Sequence, residues 1–106
     1  MSETLEREVP LLIGADHPAL PGHFPGAPLV PGVVLLDRVL SSAEQWLGRS
    51  LSLQSLPQAK FIAPLLPGQD AVLRLQCRGD ELRFTITTEA ATIAQGLMRL
   101  VQERAS

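Results

Sequence analysis

Residues 33–47, VVLLDRVLSSAEQWL, contain neither glycine nor proline, in a 106-residue chain that has eight glycines and nine prolines. This uninterrupted run predicts a helix over Val33–Leu47, with Pro31 and Gly32 at its start and Gly48 at its end. At about 100° per residue, Leu35, Trp46, Val39, Ala43, Leu36, Leu47, Leu40 and Val33 fill one apolar arc about 160° wide. The opposite arc carries Asp37, Glu44, Ser41, Gln45, Arg38 and Ser42, with Val34 among them. A stripe this wide predicts a sheet wrapped around the helix.

On both sides of the helix the period changes to two. Between Thr4 and Ile13, Leu5, Val9, Leu11 and Ile13 fall on one side and Glu6 and Glu8 on the other, which predicts a half-buried strand. Pro10 marks that strand as an edge or a break. After the helix, Leu51–Leu56 alternates weakly and Ala59–Ile62 follows, ended by Pro64-Leu-Leu-Pro67-Gly68. Ala71, Leu73, Leu75 and Cys77 then alternate with Val72, Arg74, Gln76 and Arg78. Gly79-Asp80 reads as a tight hairpin, and beyond it Leu82, Phe84 and Ile86 alternate with Glu81, Arg83, Thr85 and Thr87. A last strand is expected over Ala91–Val101, with Ile93, Leu97 and Val101 on one face. The order is strand, loop, one apolar helix, then four or five antiparallel strands. That predicts an α+β class, a single domain over 1–106 with one helix wrapped by a curved antiparallel sheet. The outer strands leave edges to cover, so a homodimer is expected.

Composition excludes several classes of function. Hydrophobic residues make up 45% and charged residues 19%, which is globular. With nine Lys and Arg against eleven Asp and Glu, the net charge is −2, and no basic face is available for nucleic acid. Cys77 is the one cysteine and has no internal partner, which fits a reducing, cytoplasmic compartment. The opening MSETLEREV carries three glutamates and does not read as a signal peptide. No apolar run approaches the ~20 residues that span a bilayer, so no membrane partner is expected.

The remaining stretch carries the chemistry. Five prolines and three glycines lie between Pro18 and Gly32, a density at which neither helix nor ladder forms. A loop of this length in a compact domain is usually functional. Gly22-His23-Phe24-Pro25-Gly26-Ala27-Pro28-Leu29-Val30-Pro31-Gly32-Val33, followed by Asp37, resembles the GHFPGxPxxPGV signature of the FabA/FabZ 3-hydroxyacyl-acyl carrier protein dehydratases. In that family an acidic residue stands fourteen positions after the histidine, and here 37 − 23 = 14. Lys60-Phe61 and Pro64-Leu-Leu-Pro67-Gly68 are similar to the family's KFxxPxxPG stretch. The matches span residues 18–68, and the chain resembles a short, ApeI-like form. The resemblance implies a hotdog fold, usually dimeric, acting on acyl carrier protein or coenzyme A thioesters, as a homodimer or dimer of dimers, with no cofactor and no metal.

Dehydrating a 3-hydroxyacyl thioester needs a base for the C2 proton, an acid for the departing C3 hydroxyl and a donor to the thioester oxygen. His23 suits the base, with an unperturbed pKa of about 6.5. Asp37 suits the acid if Val33, Leu36 and Leu40 wall it off from water. Gly32 opens the helix, where unpaired N–H groups point outward and a substrate can approach closely. The resemblance implies these same roles, with the acid contributed across the dimer interface, and a substrate site that includes Phe24, Pro25, Gly26, Val33, Leu36 and Ser41. Taken alone, Asp37 sits at the edge of the polar arc, where a solvated carboxylate is the ordinary reading. Ser41 stands where the family has Gln one turn after the acid, and its hydroxyl is placed to donate to Asp37. The stretch before the first strand is too short for the family's preceding helical segment, so a shorter, partly open tunnel is expected. Cys77 and Trp46 read as core residues, His17 as a loop residue, and Pro64 and Pro67-Gly68 as turn residues. Two other functions remain compatible: a hotdog thioesterase, and a non-catalytic dimer that binds acyl chains or scaffolds a synthase.

Overall fold

The computed structural model describes residues 3–14 and 29–101. Its elements are β1 (Leu5–Leu11), α1 (Gly32–Leu47), β2 (Leu53–Phe61), β3 (Ala71–Arg78), β4 (Glu81–Thr87) and β5 (Thr92–Leu100). The five strands form one antiparallel sheet in the order β1-β3-β4-β5-β2. β1 and β2 are therefore opposite edges, and the chain passes from one to the other through α1, which carries it across a sheet face. One helix on a five-stranded antiparallel sheet is the α+β arrangement the periodicities predict. None of its helices is long and apolar enough to cross a membrane, among the described residues.

β3 and β4 form as the alternation requires. The core face of β3 carries Ala71, Leu73, Leu75 and Cys77, all buried, and that of β4 carries Leu82, Phe84 and Ile86. The turn between them is the two residues Gly79-Asp80, enclosed by the pair Arg78↔Glu81, with Gly79 at φ 60°. Across the sheet, Leu73, Leu75, Leu82, Phe84 and Ile86 join Val34, Leu35, Val39 and Ala43 of α1 in one apolar cluster. Full burial of each such side chain is worth about 1.5–3 kcal/mol. Among the described residues, no polar or charged residue is buried. Gly48 ends the helix in the left-handed region at φ 71°, its N–H donating to the Glu44 carbonyl.

Four sequence expectations are corrected. The buried helix face carries Val34 where Val33 was expected, and Val33 is 71% exposed. The core-facing stripe runs through Val34, Leu35, Val39 and Ala43, so Leu36, Leu40 and Leu47 are left half-buried on its flank. In β5 the core face is Ala94, Gly96, Met98 and Leu100, opposite Ile86, Phe84 and Leu82 of β4. Leu97 faces the other way and Val101 is exposed beyond the strand. Ile93 is buried next to a register shift between Ile86 and Thr87, and this bulge breaks the simple period. Leu51–Leu56 and Ala59–Ile62 are not two segments, because β2 runs unbroken through Pro57 with register shifts on either side of Ser55. An edge strand tolerates that proline, since one side of its backbone has no ladder partner. Leu5, at the outer end of edge strand β1, is largely exposed rather than core. Pro10 does lie on an edge strand, opposite Val72.

Candidate functional site

The site is built around the start of α1. Pro31 is the N-cap, extended at φ −61° and ψ 146°, and has no side-chain acceptor to offer. Its carbonyl accepts from Val34 N–H at 3.0 Å and from Leu35 N–H at 3.3 Å. The N–H groups of Gly32 and Val33 have no acceptor among the described residues. These are the first donors of a helix that no intrahelical carbonyl can satisfy, and they carry the positive end of its dipole.

The approach to this helix start is anchored from two sides. Val30 N–H donates to Leu65 O at 2.9 Å, and Gly68 N–H donates to Ile13 O at 2.8 Å. Leu65 is buried, and Gly68 adopts φ 81° in the turn that follows Pro67. The Pro64–Gly68 segment thus acts as the turn expected of it. It holds the residues before the helix against the end of β1.

The close approach at Gly32 is made by the chain itself. A Cβ on Gly32 would stand 2.8 Å from Cζ of Phe61 and 3.0 Å from its Cε1. Phe61 closes β2 and keeps 51% of its surface exposed; Ile62, which follows it, Val33, which follows Gly32, and Leu66 are exposed apolar residues too. Phe61 is the site residue for which sequence reasoning assigned no role. Its signal was the Lys60-Phe61 pair of the second motif. What that pair could not reveal is the contact with Gly32, which depends on an edge strand passing a helix start.

Asp37 lies on the exposed side of α1. It stands five residues beyond Gly32, about 140° around the axis and about 7.5 Å along it. Val33 is exposed and Leu36 and Leu40 are half-buried, so within one protomer the apolar wall beside Asp37 is incomplete. Ser41 is exposed one turn on from Asp37, and no hydrogen bond joins the two side chains among the described residues. Gly32, Val33 and Phe61 therefore meet at the helix start, while Asp37 and Ser41 occupy the outward flank. His23, Phe24, Pro25 and Gly26 lie outside the described residues, as does His17.

Cys77 is buried on the core face of β3, as its alternation implies. Burial lifts its thiol above the ordinary pKa, and the charge of Arg49 acts in the opposite direction. A thiol held protonated in an apolar setting is a packing residue. Trp46 is half-buried and packs against the core.

Comparison with known proteins agrees with this geometry. The ApeI-like family model, described as ApeI dehydratase, matches residues 2–97. The solved dehydratase heterocomplex ApeI:P from Xenorhabdus doucetiae is similar with a TM-score of 0.80 and 27% identity, covering 96% of this chain and 97% of that one. An uncharacterized protein from Erwinia carotovora subsp. atroseptica is similar with a TM-score of 0.79 and 31% identity, covering 95% of this chain and 86% of that one. Among curated proteins, the 3-hydroxyacyl-[acyl-carrier-protein] dehydratase FabZ of Haemophilus influenzae (strain PittEE) is 29% identical over 89 residues, 76% of this chain. The chain spans 60% of that relative's length. The likeness identifies the helix-and-sheet architecture as the hotdog fold.

Proposed function

The chain belongs to the ApeI-like dehydratase family, and from that premise we propose that it converts 3-hydroxyacyl thioesters to trans-2-enoyl thioesters. The substrate is carried on an acyl carrier protein, in a fatty-acid-like or polyene pathway of the cytoplasm. The observation that carries the reading is the start of α1, where two N–H groups without an acceptor among the described residues lie beside an exposed apolar rim of Val33 and Phe61. The acyl chain lies along that rim and the thioester oxygen accepts from the Gly32 N–H, which stabilises negative charge as it develops. His23 takes the C2 proton. Asp37 gives a proton to the C3 hydroxyl as the C3–O bond breaks, so that one water leaves and a C2–C3 double bond forms.

The outward position of Asp37 supports a site shared between subunits. The acid of one protomer then serves the helix start of the other, and the second protomer completes the wall that Val33, Leu36 and Leu40 begin. A homodimer, or a dimer of dimers, meets this requirement. The Xenorhabdus doucetiae structure is a heterocomplex, so a related second chain is the other candidate subunit.

Incubation of the protein with 3-hydroxyacyl and trans-2-enoyl thioesters tests the reaction, with interconversion followed by mass. His23→Ala is expected to lower the rate about 10²–10⁴-fold with the fold intact. Near-normal turnover in that variant would end the dehydratase reading, and release of free thiol would establish a thioesterase. The exposure of Asp37 also favours a second reading, a non-catalytic acyl-binding or scaffold dimer. Tight acyl binding without turnover, in the presence of every candidate subunit, would decide for it.

A further inference from the structure

On the far side of α1 from the Phe61 contact, a groove of about 890 Å³ runs between the helix and β1. Two arginines line it, Arg7 from the strand and Arg38 from the helix, together with Ser41, Ser42, Gln45 and Trp46. Both arginines interrupt apolar faces. Arg7 lies opposite Leu75, at the one polar position in the series Leu5, Arg7, Val9, Leu11 that faces the helix side of the sheet. Arg38 is half-buried, one turn after buried Val34 and next to buried Val39.

Neither guanidinium has a carboxylate within 4.0 Å among the described residues, whereas Arg74 pairs with Glu8 and Arg99 with Asp80 and Glu81. Among the described residues, no Asp or Glu lines the groove. The bond made by Arg38 there is a long one, 3.4 Å from Nη1 to the Leu12 carbonyl. Two positive charges from two elements thus converge on one concavity, with their donors largely unused among the described residues. The helix contributes the hydroxyls of Ser41 and Ser42 and the indole of Trp46, and the strand contributes Val9 and Pro10.

We propose that this groove binds an organic phosphate, with Arg7 and Arg38 holding the phosphate oxygens and Trp46, Val9 and Pro10 covering the attached organic group. A guanidinium fork matches phosphate oxygens in pairs, and a tetrahedral anion has enough oxygens to serve two forks and a serine hydroxyl together. The groove has the volume of a small-molecule site, within the usual ~300–1,000 Å³. A stable protein interface would need a much wider surface, about 800 Å² on each partner. Ser41 belongs both to this groove and to the helix flank of Asp37, one turn apart. Two sources supply such a phosphate: the nucleotide end of coenzyme A and the phosphopantetheine arm of a carrier protein. This choice of sources rests on the thioester reading above, but the anion site itself does not.

Trp46 is the chain's one tryptophan and lines the groove, so its fluorescence reports occupancy without a label. The probes are coenzyme A, adenosine 3′,5′-bisphosphate, 4′-phosphopantetheine and inorganic phosphate, titrated into the full chain. A saturable change is expected with at least one ester at up to about millimolar concentration. Binding by the bisphosphate identifies the nucleotide end, and binding by phosphopantetheine alone identifies the carrier arm. Arg7→Gln and Arg38→Gln are each expected to weaken binding about tenfold or more, with Arg7→Lys intermediate and the melting temperature nearly unchanged. Unchanged affinity in both glutamine variants, no saturable change with any ester, or a response to polyglutamate alone would overturn the proposal. Because the readout is binding, it can succeed where the dehydration assay fails, and the reverse.

Discussion

Strands β3 and β4 and strand β2 belong to one sheet but have opposite characters. Along β3 every second side chain is buried, with exposed or half-buried residues between, and its leucines are shielded completely. Along β2 every residue from Leu53 to Phe61 is exposed or at most half-buried, and the register shifts twice. β3 and β4 each have neighbours on both edges and the helix above. β2 has a neighbour only in β5, and its end lies against the helix start. The difference separates the part of the fold a single chain completes from the edge that the proposed second subunit would cover. The proposed chemistry sits on the incomplete side.

The largest effect is expected from the complete half. Leu75→Ala removes a fully buried side chain opposite Phe84, and a loss of about 2–5 kcal/mol is expected in denaturant unfolding. A loss much below that would mean this half is looser than its burial implies, and the contrast would fail.

Gly96 lies where the two halves meet. A Cβ there would stand 2.8 Å from Cζ of Phe84 in β4 and would also press on the Gln58 carbonyl oxygen of β2. Gly96→Ala should cost about 1–3 kcal/mol through overpacking. The amides of β2 should lose hydrogen-exchange protection before those of β3, since the edge strand yields more easily. Uniform loss of protection would show that β2 is held as firmly as the rest.

The smallest effect on stability is expected at Phe61. Phe61→Ala should change the stability of the isolated chain by about 0.5–1 kcal/mol, because half the ring is already in water. Its association with a second subunit, measured by light scattering, should weaken far more. Loss of stability without loss of association would place the subunit contact elsewhere.

The contrast also separates what was legible in the chain from what was not. The helix could be read because fifteen residues without Gly or Pro follow Pro31-Gly32 and end at Gly48. The β3–β4 hairpin could be read because its partners are two residues apart, so the alternation of each strand is set by local neighbours. The face of β5 could not. Its period is broken by a bulge near Thr92, and Gly96, at the centre of the core face, leaves its space to Phe84 of another strand. The exchange of Val33 for Val34 has the same origin. A helical wheel ranks positions by composition, but the buried side is decided by where the sheet crosses the helix.

By itself the sequence determined where helix gives way to strand among the described residues, the order of the elements and the motif that assigns the family, because propensity, punctuation and spacing are local properties of the chain. Tertiary structure alone decided which flank of α1 is covered, that Phe61 of β2 lies on Gly32, and that Arg7 and Arg38 share a groove. Each of these joins residues far apart in the chain, and their separation is set by how the sheet is ordered. No periodicity within a segment carries that information.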